Sequence, residues 1–188
     1  MTPAARLTSL AVVTQSGLAL AALGGARLTD VRVPWGAARP LLAATLGLVV
    51  AALLAAVNFR LLHRPWGPWR DVRAAVDEVL VPTFSVLASW QIVVVSVAAS
   101  VGEELFFRGF LQPLVGVVAA SVAFGLAHVV GSRMLAFGVW ATGMGVVMGG
   151  LAVATGGIVA SMTAHACYDV LAFHYLGAEA RRQVRQGA

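Results

Sequence analysis

Long runs without a formal charge constrain this chain more than any other feature of its sequence. Residues 7–26 form one such run and residues 40–59 another, and each lies between two arginines. A helix of about 20 residues rises roughly 30 Å, which is the hydrocarbon thickness of a bilayer. The chain is 60% hydrophobic, more than a soluble domain needs. We therefore predict an integral membrane protein.

The predicted fold class is all-α, a polytopic transmembrane helix bundle of about six spans with a polar intramembrane site. The two runs already described are the first two spans. A signal peptide is the alternative for residues 7–26, but the run exceeds the roughly 7–15 apolar residues of such peptides, which favours a retained span. The other spans are predicted at 82–102, 114–130, 134–154 and 158–176.

Proline and glycine mark the predicted breaks between these helices. Pro82 is expected to open the third span. Pro113, which lacks an amide proton, is expected to break the chain or start a new helix. Glycines within residues 155–157 are expected to separate the last two spans. Gly145 and Gly149 form a small-residue face that allows helix backbones to approach closely.

Residues 60–78 are the most polar part of the chain. After Pro68, apolar residues recur at helical spacing, so a short helix lying in the membrane interface is one interpretation. A solvated connecting loop is the other. The apolar positions are Trp69, Val72, Val76 and Val79.

All thirteen basic residues are arginines, spread through short loops and chain ends. This distribution is typical of the basic bias around membrane spans, so no nucleic-acid partner is predicted. With six spans, nine arginines fall on one side against four on the other, which predicts that both termini are cytoplasmic. Arginine-only usage favours a protein of the bacterial cytoplasmic membrane. The nine are Arg6, Arg60, Arg64, Arg70, Arg73, Arg133, Arg181, Arg182 and Arg185.

Two adjacent carboxylates and a guanidinium stand between apolar runs, at Glu103, Glu104 and Arg108. A charge at the centre of a membrane helix costs about 2.5–3.5 kcal/mol on insertion scales, so such residues are functional candidates by default. Residues four apart share a helix face, so Glu104 and Arg108 can pair while Glu103 points elsewhere. One carboxylate is then neutralised and the other is free. The structural alternative is a carboxylate pair at the headgroup boundary with one ion pair.

Two further places in the apolar second half carry ionisable groups. His128 is predicted to lie within an apolar helix, where a packing role and a functional role are both open. His165 and Asp169 are four residues apart and project from one face, which packing alone does not explain. A Glu and a His could activate water, while a second His and a protonated Asp could donate hydrogen bonds to an oxyanion. The set is chemically sufficient for amide hydrolysis.

Three short motifs follow one another on successive predicted helices: Glu-Glu-x-x-x-Arg, Phe-x-x-x-His and His-x-x-x-Asp. In this order, with Phe-Arg-Gly-Phe-Leu-Gln over residues 107–112, they resemble the CPBP family of intramembrane endopeptidases, also called the Abi or CAAX-protease family. Its members include the Ras-converting enzyme that trims prenylated proteins, and bacterial proteins linked to bacteriocin processing and self-immunity. The resemblance covers roughly Thr83 to His174.

The resemblance implies roles for the candidate residues. Glu103 would be the general base, and His128 would help it to activate water. Glu104 and Arg108 would order the site.

The resemblance also implies that His165 and Asp169 stabilise the oxyanion. The last position is often Asn in the family, and an Asp donates a hydrogen bond only when it is protonated. The Asp also raises a metal alternative, in which Glu103, His128, His165 and Asp169 would hold a divalent ion. Family precedent favours a metal-independent mechanism, so no cofactor is predicted.

The resemblance divides the chain into three parts. Residues 1–82 would hold two transmembrane helices and the interfacial segment, residues 83–176 a CPBP-like catalytic core, and residues 177–188 a basic C-terminal tail. The predicted partners are the lipid bilayer and a protein or peptide substrate. Nothing in the sequence selects a prenyl group.

Two other classes of function remain open. A non-catalytic scaffold or bacteriocin self-immunity protein could use the same pocket for binding. A transporter could use the Glu and His residues as a proton relay, although the chain shows no internal repeat. Other intramembrane proteases fit less well, because the sequence contains neither His-Glu-x-x-His nor a Gly-x-Ser-Gly motif.

Overall fold

The computed structural model describes residues 1–36, 39–63 and 66–187, and all regular structure in these ranges is helical. The predicted all-α fold is confirmed. Arg64 and Ala188, which entered the predictions above, lie outside the described residues. The α-helices are α1 (Pro3–Leu28), α2 (Pro40–His63), α3 (Pro68–Ala75), α4 (Val81–Phe84), α5 (Ser89–Glu103), α6 (Gln112–Ala127), α7 (Leu135–Thr155) and α8 (Val159–Gly187).

Two π-helical segments connect some of these helices. Val76–Leu80 joins α3 to α4, and Glu104–Leu111 joins α5 to α6. A short 3-10 turn, Ser132–Met134, precedes α7. The turn between α7 and α8 falls where the sequence predicted it, because Gly156 ends α7 with a φ of 69° that favours glycine.

Four helical stretches in the described part of the chain are long and apolar enough to cross a membrane. Three of them, Pro3–Leu28, Pro40–His63 and Ser132–Thr155, contain the predicted first, second and fifth spans. The fourth, Ser89–Ala127, is a continuous run that contains most of the third and fourth. The chain is therefore an integral membrane protein. Its bacterial origin, the side of its termini and its three-part division stay predictions.

The long run begins later than predicted, and Pro82 does not open it. α5 begins at Ser89, and Pro82 lies instead within α4. Pro113 lies in the first turn of α6, a position at which the missing amide proton is tolerated. Pro113 therefore stands at the start of a new helix, which is one of the two outcomes that the sequence predicted.

The break in this run falls at Gly116. Its φ of 82° and ψ of 168° are outside the helical region, and a positive φ of this size favours glycine. The regular helix after it, 117–127, rises roughly 16 Å, about half of the hydrocarbon thickness. The predicted span 114–130 is thus shortened, and its helix ends just before His128.

α8 packs against four other α-helices, namely α2, α4, α5 and α7. Ala160 and Ala164 on this helix have no exposed surface. α8 is not among the four most apolar stretches, since polar side chains lower its hydropathy. A helix surrounded by other helices is shielded from lipid and can carry such side chains. It continues to Gly187, so the predicted tail is helical up to that residue.

The polar segment after Pro68 is helical, which agrees with the helix interpretation and not with the solvated loop. Its inner face packs against Leu62 of α2 and Leu176 of α8. Its place in the membrane interface stays a prediction. The buried residues of this face are Val72, Val76 and Val81.

Arg73 fixes this segment to the end of α8. Its guanidinium donates to Asp77 at 2.6 Å, to Glu179 at 2.5 Å and to the Tyr175 hydroxyl at 3.1 Å. Burial opposes the charge, but the hydrogen bonds to Asp77 and Glu179 outweigh it and raise the pKa of Arg73. The guanidinium therefore stays charged, and it holds the segment against the bundle.

Small residues allow the helices to pack closely. A Cβ at Gly145 would lie 3.0 Å from the Ser121 Cβ, and one at Gly149 would lie 2.6 Å from the Gln112 Oε1. The predicted small-residue face of α7 is therefore packed against α6, including Gln112, the first residue of that helix. Gly47 has the same role between α2 and α8, where a Cβ would lie 2.5 Å from the Ala160 carbonyl oxygen.

We expect Gly47→Ala to destabilise the protein by about 1–3 kcal/mol, because the added methyl group meets backbone that cannot move aside. Unfolding in detergent measures this change. Gly150→Ala is the matched control, since nothing lies within 4 Å of a Cβ there. Equal stability of the two variants would contradict the close α2–α8 contact.

Candidate active site

Glu104 and Arg108 form an ion pair in the interior of the bundle. The Arg108 Nη1 lies 3.0 Å from the Glu104 Oε1, and the two side chains are 1% and 0% exposed. Arg108 also donates to the Gly145 carbonyl at 3.2 Å, and its guanidinium lies 4.4 Å from the centre of the Phe124 ring. The pair expected from the four-residue spacing is present. It lies in a π-helical segment, a rare conformation that recurs at functional sites.

His165 of α8 faces three carboxylates. Its Nδ1 lies 2.9 Å from the Glu104 Oε1. Its Nε2 lies 3.8 Å from the Glu103 Oε2 and 3.5 Å from the Asp169 Oδ2. Since a carboxylate only accepts, Nδ1 carries a proton that it donates to Glu104. The other nitrogen is left to face Glu103 and Asp169.

Glu103 keeps one carboxylate oxygen free. Its Oε1 accepts a hydrogen bond of 2.8 Å from the Gln15 Nε2 of α1. Its Oε2 is buried and has no hydrogen-bond partner among the described residues. The two adjacent carboxylates therefore differ as expected: Glu104 is paired with a guanidinium, and Glu103 is not.

His128 follows the last residue of α6, whereas the sequence predicted a histidine within a helix. The difference arises because α6 ends at Ala127, which makes His128 its C-cap residue. The His128 Nδ1 lies 2.8 Å from the Phe124 carbonyl oxygen, which can only accept, so Nδ1 carries the proton. In a neutral ring the Nε2 is then the free base.

Phe124 connects His128 to the rest of the cluster. The ring centres of Phe124 and His128 are 4.5 Å apart, and those of Phe124 and His165 are 6.1 Å apart. Within the described ranges, no hydrogen bond or ion pair joins His128 directly to the other candidates. It shares their cavity without touching them.

A cavity of about 600 Å³ opens onto these residues. Four candidates line it: Glu103, His128, His165 and Asp169. Most of the remaining wall is apolar. Its residues come from α1, α2, the stretch from α3 through Val76–Leu80 to α4, α5, α7 and α8. The buried Glu104–Arg108 pair does not line this cavity. The structure thus separates four groups that can reach a bound molecule from two that support them.

Gln15 is the polar contact that the sequence interpretation missed. It lies on α1, in the first span, which carried no motif. The available signal was an amide in the middle of a twenty-residue uncharged run. Asn58 of α2 also lines the cavity. Its amide nitrogen donates to the Tyr168 hydroxyl at 3.2 Å, and Tyr168 directly precedes Asp169 in the chain.

The metal alternative finds no support in the arrangement of these side chains. No group of three or more His, Cys, Asp or Glu is placed to hold a metal ion in the part of the chain that the structure describes. No step of the chemistry below is assigned to a metal.

The described helices thus form a membrane bundle in which a buried Glu104–Arg108 pair contacts His165, and His165 lines the cavity. Residues 84–171 match the family model described as "Type II CAAX prenyl endopeptidase Rce1-like". This family is part of the CPBP family, to which the matched segment, with all six candidate residues, therefore belongs. The matched family is one of intramembrane endopeptidases. Neither a curated protein nor a solved structure matches the chain.

We expect Arg108→Leu to destabilise the protein by about 3–5 kcal/mol, because it leaves the buried Glu104 carboxylate without its partner. The free energy of unfolding in detergent measures this loss. The matched control is Arg133→Gln, which removes an ion pair of 3.3 Å whose arginine is 78% exposed, and which should cost less than about 1 kcal/mol. Similar losses in both variants would contradict a buried, desolvated pair.

Proposed function

We propose that this protein hydrolyses a peptide bond of a membrane-associated protein or peptide, with Glu103 as the general base that activates water. The observation that carries the proposal is the free Glu103 Oε2. It is buried, lacks a partner among the described residues and belongs to a residue on the cavity wall, 3.8 Å from the His165 Nε2. A buried carboxylate oxygen without a hydrogen bond is costly in an apolar bundle, which favours a role in chemistry.

In the proposed reaction, the Glu103 carboxylate takes a proton from water as the water oxygen attacks the peptide carbonyl carbon. His128 assists by accepting a hydrogen bond from that water at its Nε2. The proton passes to the amide nitrogen, the carbon–nitrogen bond breaks, and a carboxylic acid and an amine leave. Every atom of the added water is accounted for in the two products.

His165 and Asp169 are proposed to donate hydrogen bonds to the developing oxyanion. A proton on the His165 Nε2 points toward the side of the ring where Glu103 and Asp169 lie. Asp169 donates only in its protonated form. Removing one such donor costs about 10²–10³ in rate in other hydrolases, so both positions are expected to be sensitive.

Glu104 and Arg108 are proposed to hold this arrangement in place. The Glu104 carboxylate orients His165 through the 2.9 Å contact at Nδ1, and Arg108 neutralises Glu104. The mostly apolar cavity favours a substrate with hydrophobic side chains or an acyl group beside the cleaved bond.

We expect Glu103→Gln to lower peptide cleavage by at least about 10²-fold while the fold stays intact, because the amide cannot take the proton from water. Fragments of membrane-associated peptides are compared by mass spectrometry in membranes holding either form, at matched expression and thermal stability. Glu78→Gln is the control, since Glu78 is exposed, pairs with Arg133 and does not line the cavity.

Cleavage by the wild type alone supports the protease and identifies its substrate class. If the two peptide profiles coincide while a cellular phenotype survives the substitution, the protein is a binding scaffold or an immunity factor. Proton-coupled flux in liposomes would indicate a transporter.

Asp169→Asn provides a second test, because an amide donates a hydrogen bond at any pH whereas a carboxyl does so only when protonated. We expect the activity of Asp169→Asn relative to the wild type to increase as the pH rises. Asp169→Leu should lose about 10²–10³ in kcat at every pH. A constant ratio between Asn and Asp forms across the pH range would contradict the proposed donor role.

A further inference from the structure

The geometry points to Gln15 as a positioning residue for the general base, an inference that rests on the proposed role of Glu103. The Gln15 Nε2 donates to the Glu103 Oε1 at 2.8 Å. Since an ionised carboxylate only accepts, the amide nitrogen is the atom that must face it. The hydrogen bond fixes one carboxylate oxygen and leaves the other, Oε2, for the water.

Gln15 is held in a shaped recess between α1 and α5. A Cβ at Gly102 would lie 2.5 Å from the Gln15 Oε1 and 2.6 Å from its backbone oxygen. Only the absence of a side chain at residue 102 therefore allows α1 to come close enough for the contact. Gly102, which directly precedes Glu103 in the chain, thus leaves the space that Gln15 occupies.

The contact is costly as a purely structural link. The Gln15 Oε1 is buried without a hydrogen-bond partner among the described residues. An amide with one unsatisfied polar atom in an apolar surrounding costs free energy that an apolar side chain would not. A residue that served only to pack α1 against α5 would be better as Leu or Met.

A second amide contact between the same two helices provides an internal comparison. Gln91 of α5 donates to the Thr8 hydroxyl of α1 at 3.0 Å, and both residues are buried. This contact resembles the Gln15–Glu103 contact in chemistry, yet neither residue of the Thr8–Gln91 contact lines the cavity. If substitutions in the two contacts affect kcat differently, the packing of α1 against α5 does not by itself explain the role of Gln15.

The test measures kcat and KM for a peptide that the wild type cleaves, using purified full-length protein in detergent. Gln15→Met keeps the length of the side chain and removes the donor, and Gln15→Leu is a second variant in case one packs poorly. We expect kcat to fall about 10- to 100-fold, the range that small misplacements of a catalytic group produce. KM should stay within about twofold, since ground-state binding is unchanged.

Thr8→Val is the matched control, because it removes the other α1–α5 hydrogen bond and should leave kcat unchanged even if thermal stability falls. The inference is overturned if Gln15→Met retains the kcat of the wild type. It is also overturned if Thr8→Val loses kcat in the same proportion to its loss of stability. Glu103→Gln is measured alongside: if that variant cleaves normally, the proposed function fails and the role of Gln15 fails with it.

Discussion

The structure depends on how a few charges are compensated inside an apolar bundle. Glu104 and Arg108 are almost completely removed from solvent, so neither could remain ionised there alone. Each neutralises the other, and the guanidinium gains a backbone carbonyl and an aromatic face besides. His165 then contacts the same Glu104 oxygen, which brings α8 against the π-helical segment. This one compensated pair joins three elements of the site, and the other polar groups are arranged around it.

The bundle provides the shielding that this arrangement needs. α8 carries His165 and Asp169, and it is surrounded by α2, α4, α5 and α7. The polar face of a weakly apolar helix is thereby turned away from lipid and toward the cavity. Close packing at Gly47 and along α7 keeps the helices near enough to exclude water from the ion pair. The buried Glu104–Arg108 pair therefore depends on these glycines, because water would reach the pair in a more widely spaced bundle.

The sequence predicted the membrane class, the positions of the helices and the grouping of the candidate residues. These follow from strong local signals: charge-free runs, glycine breaks and residues four apart. It did not predict that the third span begins only at Ser89, since Pro82 lies in the separate short helix α4. Nor did it predict that Gly116 breaks the helix, because a glycine in an apolar run more often packs than bends.

The partner of Glu103 was beyond the reach of sequence reasoning for a different reason. Gln15 and Glu103 are separated by 88 positions in the chain, and no spacing rule relates residues on different helices. The place of His128 was also missed, since the apolar pattern does not show that α6 ends at Ala127. Long-range contacts of this kind follow from how the helices pack, which the apolar pattern of a membrane chain leaves open.

The contact between α1 and α5 has a consequence for how the protein is made. A membrane protein is inserted helix by helix from its N-terminus, so Gln15 on α1 enters the bilayer before Glu103 on α5. His165 and Asp169 arrive later, with α8. Until then, Glu104 has only Arg108 as a partner, and the cavity lacks one wall. The contacts of His165 with the two adjacent carboxylates therefore form only in a molecule in which α8 has docked.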